Sequence, residues 1–139
     1  MSARDRDREA VKRGLEKQDW RITHDPLWLK YGANDVVQID LAGDRVVAAE
    51  RDREKIAVEV KSFLADSPLS DFHPAIGQFL NYRLVLEALD PDRVLYLAVP
   101  LSIYRSFFQR DLPRDVVRRY EIKLIIYNPI LEEIVQWIG

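Results

Sequence analysis

From Lys55 to Phe63 the chain reads Lys-Ile-Ala-Val-Glu-Val-Lys-Ser-Phe, an alternation of apolar and polar positions that closes on two opposite charges two residues apart, Glu59 and Lys61. Period two with β-branched residues predicts a strand, with Glu59 and Lys61 on one face and Val58 and Val60 on the other. Upstream, residues 6–18 carry mixed charges around a narrow apolar stripe of Ala10, Val11, Gly14 and Leu15, which predicts an amphipathic helix. Asp19–His24 reads as a short extended run ended by Asp25-Pro26, and Leu27–Tyr31 precedes a turn at Gly32–Asp35. Three strands are then expected, Val36–Ala42, Arg45–Glu50 and Lys55–Phe63, with connections short enough for an antiparallel meander.

After the loop Leu64–Ser70 an apolar stripe predicts a helix over residues 72–89, capped by Ser70 or Asp71. Val94–Val99 is a continuous apolar run, the pattern of a strand buried on both faces. A strand, a long helix and a buried strand in succession meet the requirement for a parallel crossover. Ser102 and Pro113 mark the starts of two short helices, and Lys123–Tyr127 with Glu133–Trp137 predict a closing strand pair around Asn128-Pro129. The fold class expected is α/β: a mixed sheet, an antiparallel meander plus a crossover helix, flanked by helices in one domain over residues 1–139.

Composition narrows the function classes. With 47% apolar and 32% charged residues the chain is of the soluble globular type, and 139 residues suffice to bury about two thirds of the unfolded surface. The absence of cysteine excludes disulfides, thiolate zinc sites and cysteine nucleophiles, and fits a cytoplasmic location. No apolar stretch is long enough for a membrane span or a signal peptide. A net charge of −2 means that contact with DNA requires a local basic patch. Arg110, Arg114, Arg118, Arg119 and Lys123, near helical spacing, are the candidates, although such a run is ordinarily a solvated face.

Asp40, Glu50 and Glu59 each fall within an expected strand, where a carboxylate is costly unless something pairs with it. A carboxylate beside an amine on a rigid strand can bind a hard divalent cation and orient a water molecule, or it can be an ion pair at a sheet edge. Asp35, Asp40 and Glu50 all precede Glu59 within reach; Asp40, between Ile39 and Leu41, is preferred as second ligand and Glu50 comes next. His24 and His73 lack a third nearby ligand and make a weak zinc site. Glu9 lies four residues before Arg13, the spacing of a surface ion pair.

The order of elements and the Glu59-Val-Lys61 motif resemble the restriction-endonuclease-like nucleases, the PD-(D/E)xK superfamily, and Gln78-Phe-Leu-Asn-Tyr82 looks like the Gln-x-x-x-Tyr signature of some of its branches. More narrowly, Trp20–Pro26, Ile56–Phe63, Ser70–His73, Gly77–Arg83, Leu95–Pro100 and Val135–Ile138 resemble the XisH family, the fdxN-element excision controlling factors of cyanobacteria. The resemblance implies a magnesium- or manganese-dependent endonuclease acting on DNA. Asp40 and Glu59, or Glu50, would be metal ligands, Lys61 would orient the attacking water, and Gln78 and Glu9 would stand at the same site. No Pro-Asp dipeptide precedes the motif. The resemblance equally allows an inactive regulatory subunit that binds an XisI-type companion. Tyr104, Phe107, Phe108, Tyr127 and Trp137 are more aromatics than the core is expected to absorb, which predicts self-association or a partner surface in the C-terminal half.

Overall fold

A computed structural model of the chain describes residues 2–46 and 53–139. Helix α1 spans Ala3–Lys17 and is followed by strands β1 (Arg21–His24), β2 (Leu27–Tyr31), β3 (Asp35–Ile39), β4 (Leu41–Val46) and β5 (Arg53–Val60). Helix α2 (Pro68–Leu89) leads to β6 (Arg93–Pro100), the short helices α3 (Leu101–Arg105) and α4 (Asp111–Arg119), and the strands β7 (Leu124–Asn128) and β8 (Glu133–Ile138). Six strands form one sheet in the order β1-β4-β5-β6-β7-β8, while β2 and β3 pair in a ribbon of their own. The pairings β5/β6 and β6/β7 are parallel; β1/β4, β4/β5 and β7/β8 are antiparallel. The fold is thus the mixed α/β arrangement expected, with α2 as the crossover between β5 and β6.

The sheet separates two hydrophobic cores, and strand alternation assigns residues to each. Ala57, Leu95, Leu97, Val99, Leu124 and Ile126 face the α2 side and pack with Phe72, Phe79 and Leu86. Ile56, Val58, Val60, Ala98, Ile125 and Tyr127 face the α1 side and pack with Val11 and Leu15. The stripe Ala10, Val11, Gly14 and Leu15 is the buried face of α1, as its spacing predicts. A Cβ on Gly14 would stand 3.0 Å from the backbone nitrogen of Ile134, so glycine permits the close approach of α1 to β8.

Four expectations change. The run from Val36 to Ala42 is not one strand. Ile39 and Leu41 are both fully buried but in opposite cores, whereas residues two apart in a straight strand share a face. The chain therefore turns at Asp40: β3 before it pairs with β2, and β4 after it pairs with β5 and β1. The expected three-strand meander is replaced by an antiparallel trio of β1, β4 and β5, in which the β2/β3 ribbon separates β1 from β4 along the chain, and Ala42–Asp44, between the first two expected strands, lies inside β4. Second, α2 begins at Pro68 behind Ser67, and Asp71, in its first turn, instead accepts the amide of Ala65 at 2.9 Å. Proline suits this position because the first-turn N–H has no helical partner. Third, α3 starts at Leu101 directly after Pro100, one residue before the expected Ser102. Fourth, the late aromatics are core residues. Phe107, Phe108 and Tyr127 are buried, and Tyr104 and Trp137 pack half-buried against the two cores, so they do not form the exposed patch expected of them.

Candidate functional site

Where β4 begins against the end of β5, the turn at Asp40 leaves the amide of Val60 without a strand partner. The Asp40 carboxylate supplies one, its Oδ2 accepting the Val60 N–H at 2.8 Å. The amide of Asp40 in turn donates to Glu59 Oε1 at 3.2 Å. These reciprocal bonds lock the two acidic residues together at the C-terminal end of β5. Lys61, one residue past the strand, is anchored by its amide to the carbonyl of Ala98 at 3.0 Å and places its ammonium 3.5 Å from Glu59 Oε2. The strand parity that put Glu59 and Lys61 on one face is realised on the α2 side of the sheet.

Glu59 is the single charged residue buried among the described residues, 4% exposed. Burial, and then the negative charge of Asp40, push its carboxyl up from 4.5 to about 7, against the opposing pull of Lys61. From α2, the Tyr82 hydroxyl is held above its ordinary range by burial and then by the charges of Glu59 and Asp40, so the ring end senses both carboxylates. Gln78 stands one helical turn earlier on the same face of α2, and its amide oxygen is buried with no hydrogen-bond partner among the described residues. Arg4, near the start of α1, draws the Tyr82 value back down and lines with Lys61 and Ser62 a cavity of about 180 Å³ beside the site.

The other candidates fall elsewhere. Glu9 pairs with Arg13 at 3.5 Å on the surface of α1. The acid of α1 that approaches the site is Asp7, whose Oδ2 lies 3.2 Å from the Tyr127 hydroxyl, itself 3.2 Å from the carbonyl oxygen of Lys61. Burial, then Asp7, raise the Tyr127 phenol strongly. Asp7 precedes Ala10 and Val11 by three and four residues, so helical spacing placed it at the head of the buried stripe, a signal the sequence reading passed over. Asp35 sits exposed opposite Tyr31 at the tip of the β2/β3 ribbon, and Glu50 lies outside the described residues. His24 contacts Thr23 and His73 is exposed. In the basic run, Arg114 pairs with Asp111 and Asp115 and Arg110 covers the ring of Phe107, leaving Arg118 and Arg119 exposed.

Among the described residues no three His, Cys, Asp or Glu side chains gather closely enough to cage a metal ion. The protein ligands the structure brings together for a cation are two carboxylates, Asp40 and Glu59. That set suits an ion that keeps several of its own waters, as magnesium does, and not one that needs a full protein cage. The repulsion that raises Glu59 is also what a cation would relieve. No described helix is long and apolar enough to cross a membrane.

No curated protein matches the chain. Two crystal structures do: that of an XisH family protein from Nostoc punctiforme, 47% identical, with a TM-score of 0.86 over 97% of this chain and 100% of the other, and that of an fdxN element excision controlling factor protein from Anabaena variabilis, 46% identical, with a TM-score of 0.87 over 98% and 100%. The family model described as XisH protein matches residues 1–135. A match over nearly the whole length, in both sequence and fold, makes this chain a member of the XisH family.

Proposed function

We propose that the chain is a divalent-metal-dependent DNA phosphodiesterase of the PD-(D/E)xK kind that serves the excision of a chromosomal element. The observation that carries this reading is the convergence of Asp40, Glu59 and Lys61 at one strand end. Asp40 and Glu59 would hold magnesium or manganese with Gln78 nearby, and the ion when bound would polarise a phosphate oxygen and acidify a water. The work of the chain is positional. Asp40 is fixed by the Val60 amide and Glu59 by the Asp40 amide, so neither carboxylate must be ordered when substrate arrives. Lys61, 3.5 Å from Glu59 Oε2, can hold the attacking water against the phosphorus. Arg4, which lines the neighbouring cavity with Lys61, would serve as a cation for a phosphate oxygen.

The second reading, an inactive regulatory subunit bound to an XisI-type partner, is favoured by one feature: the carboxylates are already satisfied within the chain by two backbone amides and Lys61. Incubation of purified protein with plasmid and single-stranded DNA in magnesium or manganese separates the two. Metal-dependent cleavage lost in Glu59→Gln and Lys61→Ala supports the enzyme. No cleavage, with no metal bound in a calorimetric titration, gives the site to the regulatory reading.

A further inference from the structure

The basic run, which the proposed chemistry leaves unused, is set apart by charge. Residues 101–123, which make α3, α4 and the approach to β7, hold six cations (Arg105, Arg110, Arg114, Arg118, Arg119 and Lys123) and three acids (Asp111, Asp115 and Glu121), a net charge of +3. The whole chain carries −2, which leaves −5 for everything else. The segment is a basic region on an acidic protein, and charge so separated sets up a local positive field. Two of its acids are engaged within it, Arg114 standing 3.0 Å from Asp111 and 3.6 Å from Asp115, and among the described residues these are the segment's ion pairs. Arg105, Arg110, Arg118 and Arg119 are all exposed. α4 packs inward through Pro113, Val116 and Val117, so its arginines are carried on a fixed frame. Arg83 of α2 closes the end of that helix by donating to the carbonyl oxygens of Tyr120 and Glu121 at 2.8 and 3.2 Å. The segment is thereby tied to α2 one residue from Tyr82.

A guanidinium with free donors matches the paired oxygens of a phosphate. The apolar side chains decide which polyanion the face fits. A single strand is held by bases stacked on open rings, but Phe107 and Phe108 are buried, Tyr104 packs on the core, and Arg110 itself covers the Phe107 ring. Leu112 and Tyr120 are the large apolar side chains that the segment exposes, too few for a stacking row or for the apolar centre of a protein interface. Exposed arginines without such platforms suit the backbone of a duplex, which is gripped without access to the bases. We propose that the α3–α4 segment is a sequence-independent docking face for duplex DNA, with Arg105, Arg110, Arg118 and Arg119 as its phosphate contacts. The inference rests on the reading that the chain acts on DNA and adds to it a surface outside the carboxylate site.

The test is fluorescence anisotropy of a short labelled DNA duplex titrated with the full chain in EDTA, at salt concentrations between about 0.05 and about 0.2 M. The wild-type chain should bind, with log K falling linearly in log salt. Each phosphate contact contributes about 0.9 to that slope, so Arg118→Ala/Arg119→Ala should lower it by about 2 and weaken binding at least about tenfold at about 0.1 M salt. Arg118→Lys/Arg119→Lys keeps the charges and should keep the slope. Arg13→Ala/Arg21→Ala removes as much charge from α1 and β1 and should leave the slope unchanged, which separates a local contact from net charge. The four arginines replaced are exposed, so every variant should melt as the wild type does. Tighter binding of the matching single strand, no salt-dependent duplex binding by the wild type, an unchanged slope in the alanine pair on α4, or an equal fall in the pair on α1 and β1 overturns the proposal. The carboxylate site is tested apart from this by cleavage in magnesium with Glu59→Gln, whose duplex binding in EDTA should not fall below that of the wild type, so either reading can fail while the other stands.

Discussion

Replacing Glu59 by glutamine tests the central electrostatic feature of the site, because it removes a charge while keeping shape and the acceptor for the Asp40 amide. In the unfolded chain this carboxyl ionises near 4.5, and in the fold near about 7. Below about pH 4.5 the group is neutral in both states and imposes no penalty. From about pH 4.5 upward the unfolded carboxyl ionises while burial and Asp40 keep the folded one protonated, so stability falls until about pH 7, where the folded group ionises too and the loss is complete. A displacement from 4.5 to about 7, at about 1.4 kcal/mol per pH unit, corresponds to a loss on the order of 3 kcal/mol. The attraction of Lys61 acts on the ionised form and is already contained in that figure. Glutamine does not titrate, so the stability of Glu59→Gln relative to wild type should grow by that order between about pH 4 and about pH 8.5. Urea denaturation in EDTA at several pH values, at constant ionic strength, measures it, and other carboxyls cancel in the difference to the extent that their effects are additive. A difference that stays flat, or a variant less stable than wild type at high pH, would show that Glu59 is a structural ion-pair partner and not a strained acid.

Magnesium should raise the melting temperature of the wild-type chain more at about pH 8 than at about pH 5.5, where a proton must first be displaced, and should not raise that of Glu59→Gln; thermal scans with and without the ion check this. Tyr127→Phe removes the buried hydroxyl that meets Asp7 and the Lys61 carbonyl, and should cost about 1–2 kcal/mol in urea. Gly43→Ala would set a Cβ 2.8 Å from the carbonyl oxygen of Arg21, a backbone atom that can move only by shifting β1. The expected cost is about 1–3 kcal/mol, with faster amide exchange in β1 than in β5.

What the sequence by itself determined is what depends on near neighbours. The alternation at Val58–Lys61 settled which faces Glu59 and Lys61 share, the stripe in α1 settled its buried side, and the apolar run at Val94–Val99 marked the central strand. These are consequences of periods of 2 and 3.6, which any window of the chain displays. Only the tertiary structure decided the rest. The alternation from Val36 to Ala42 reads as one strand because pattern cannot register that Ile39 and Leu41 enter different cores; the turn that this forces is what frees the Val60 amide for Asp40. Glu9 and Asp7 are both acids of one helix, and the choice between them was made by Tyr127, which is 120 residues from Asp7. The late aromatics look excessive until β5, β6, β7 and α4 close two cores around them. Period and composition are local properties, whereas which carboxylate meets which amide is set by loop closure over tens of residues, and a single sequence carries no local trace of it.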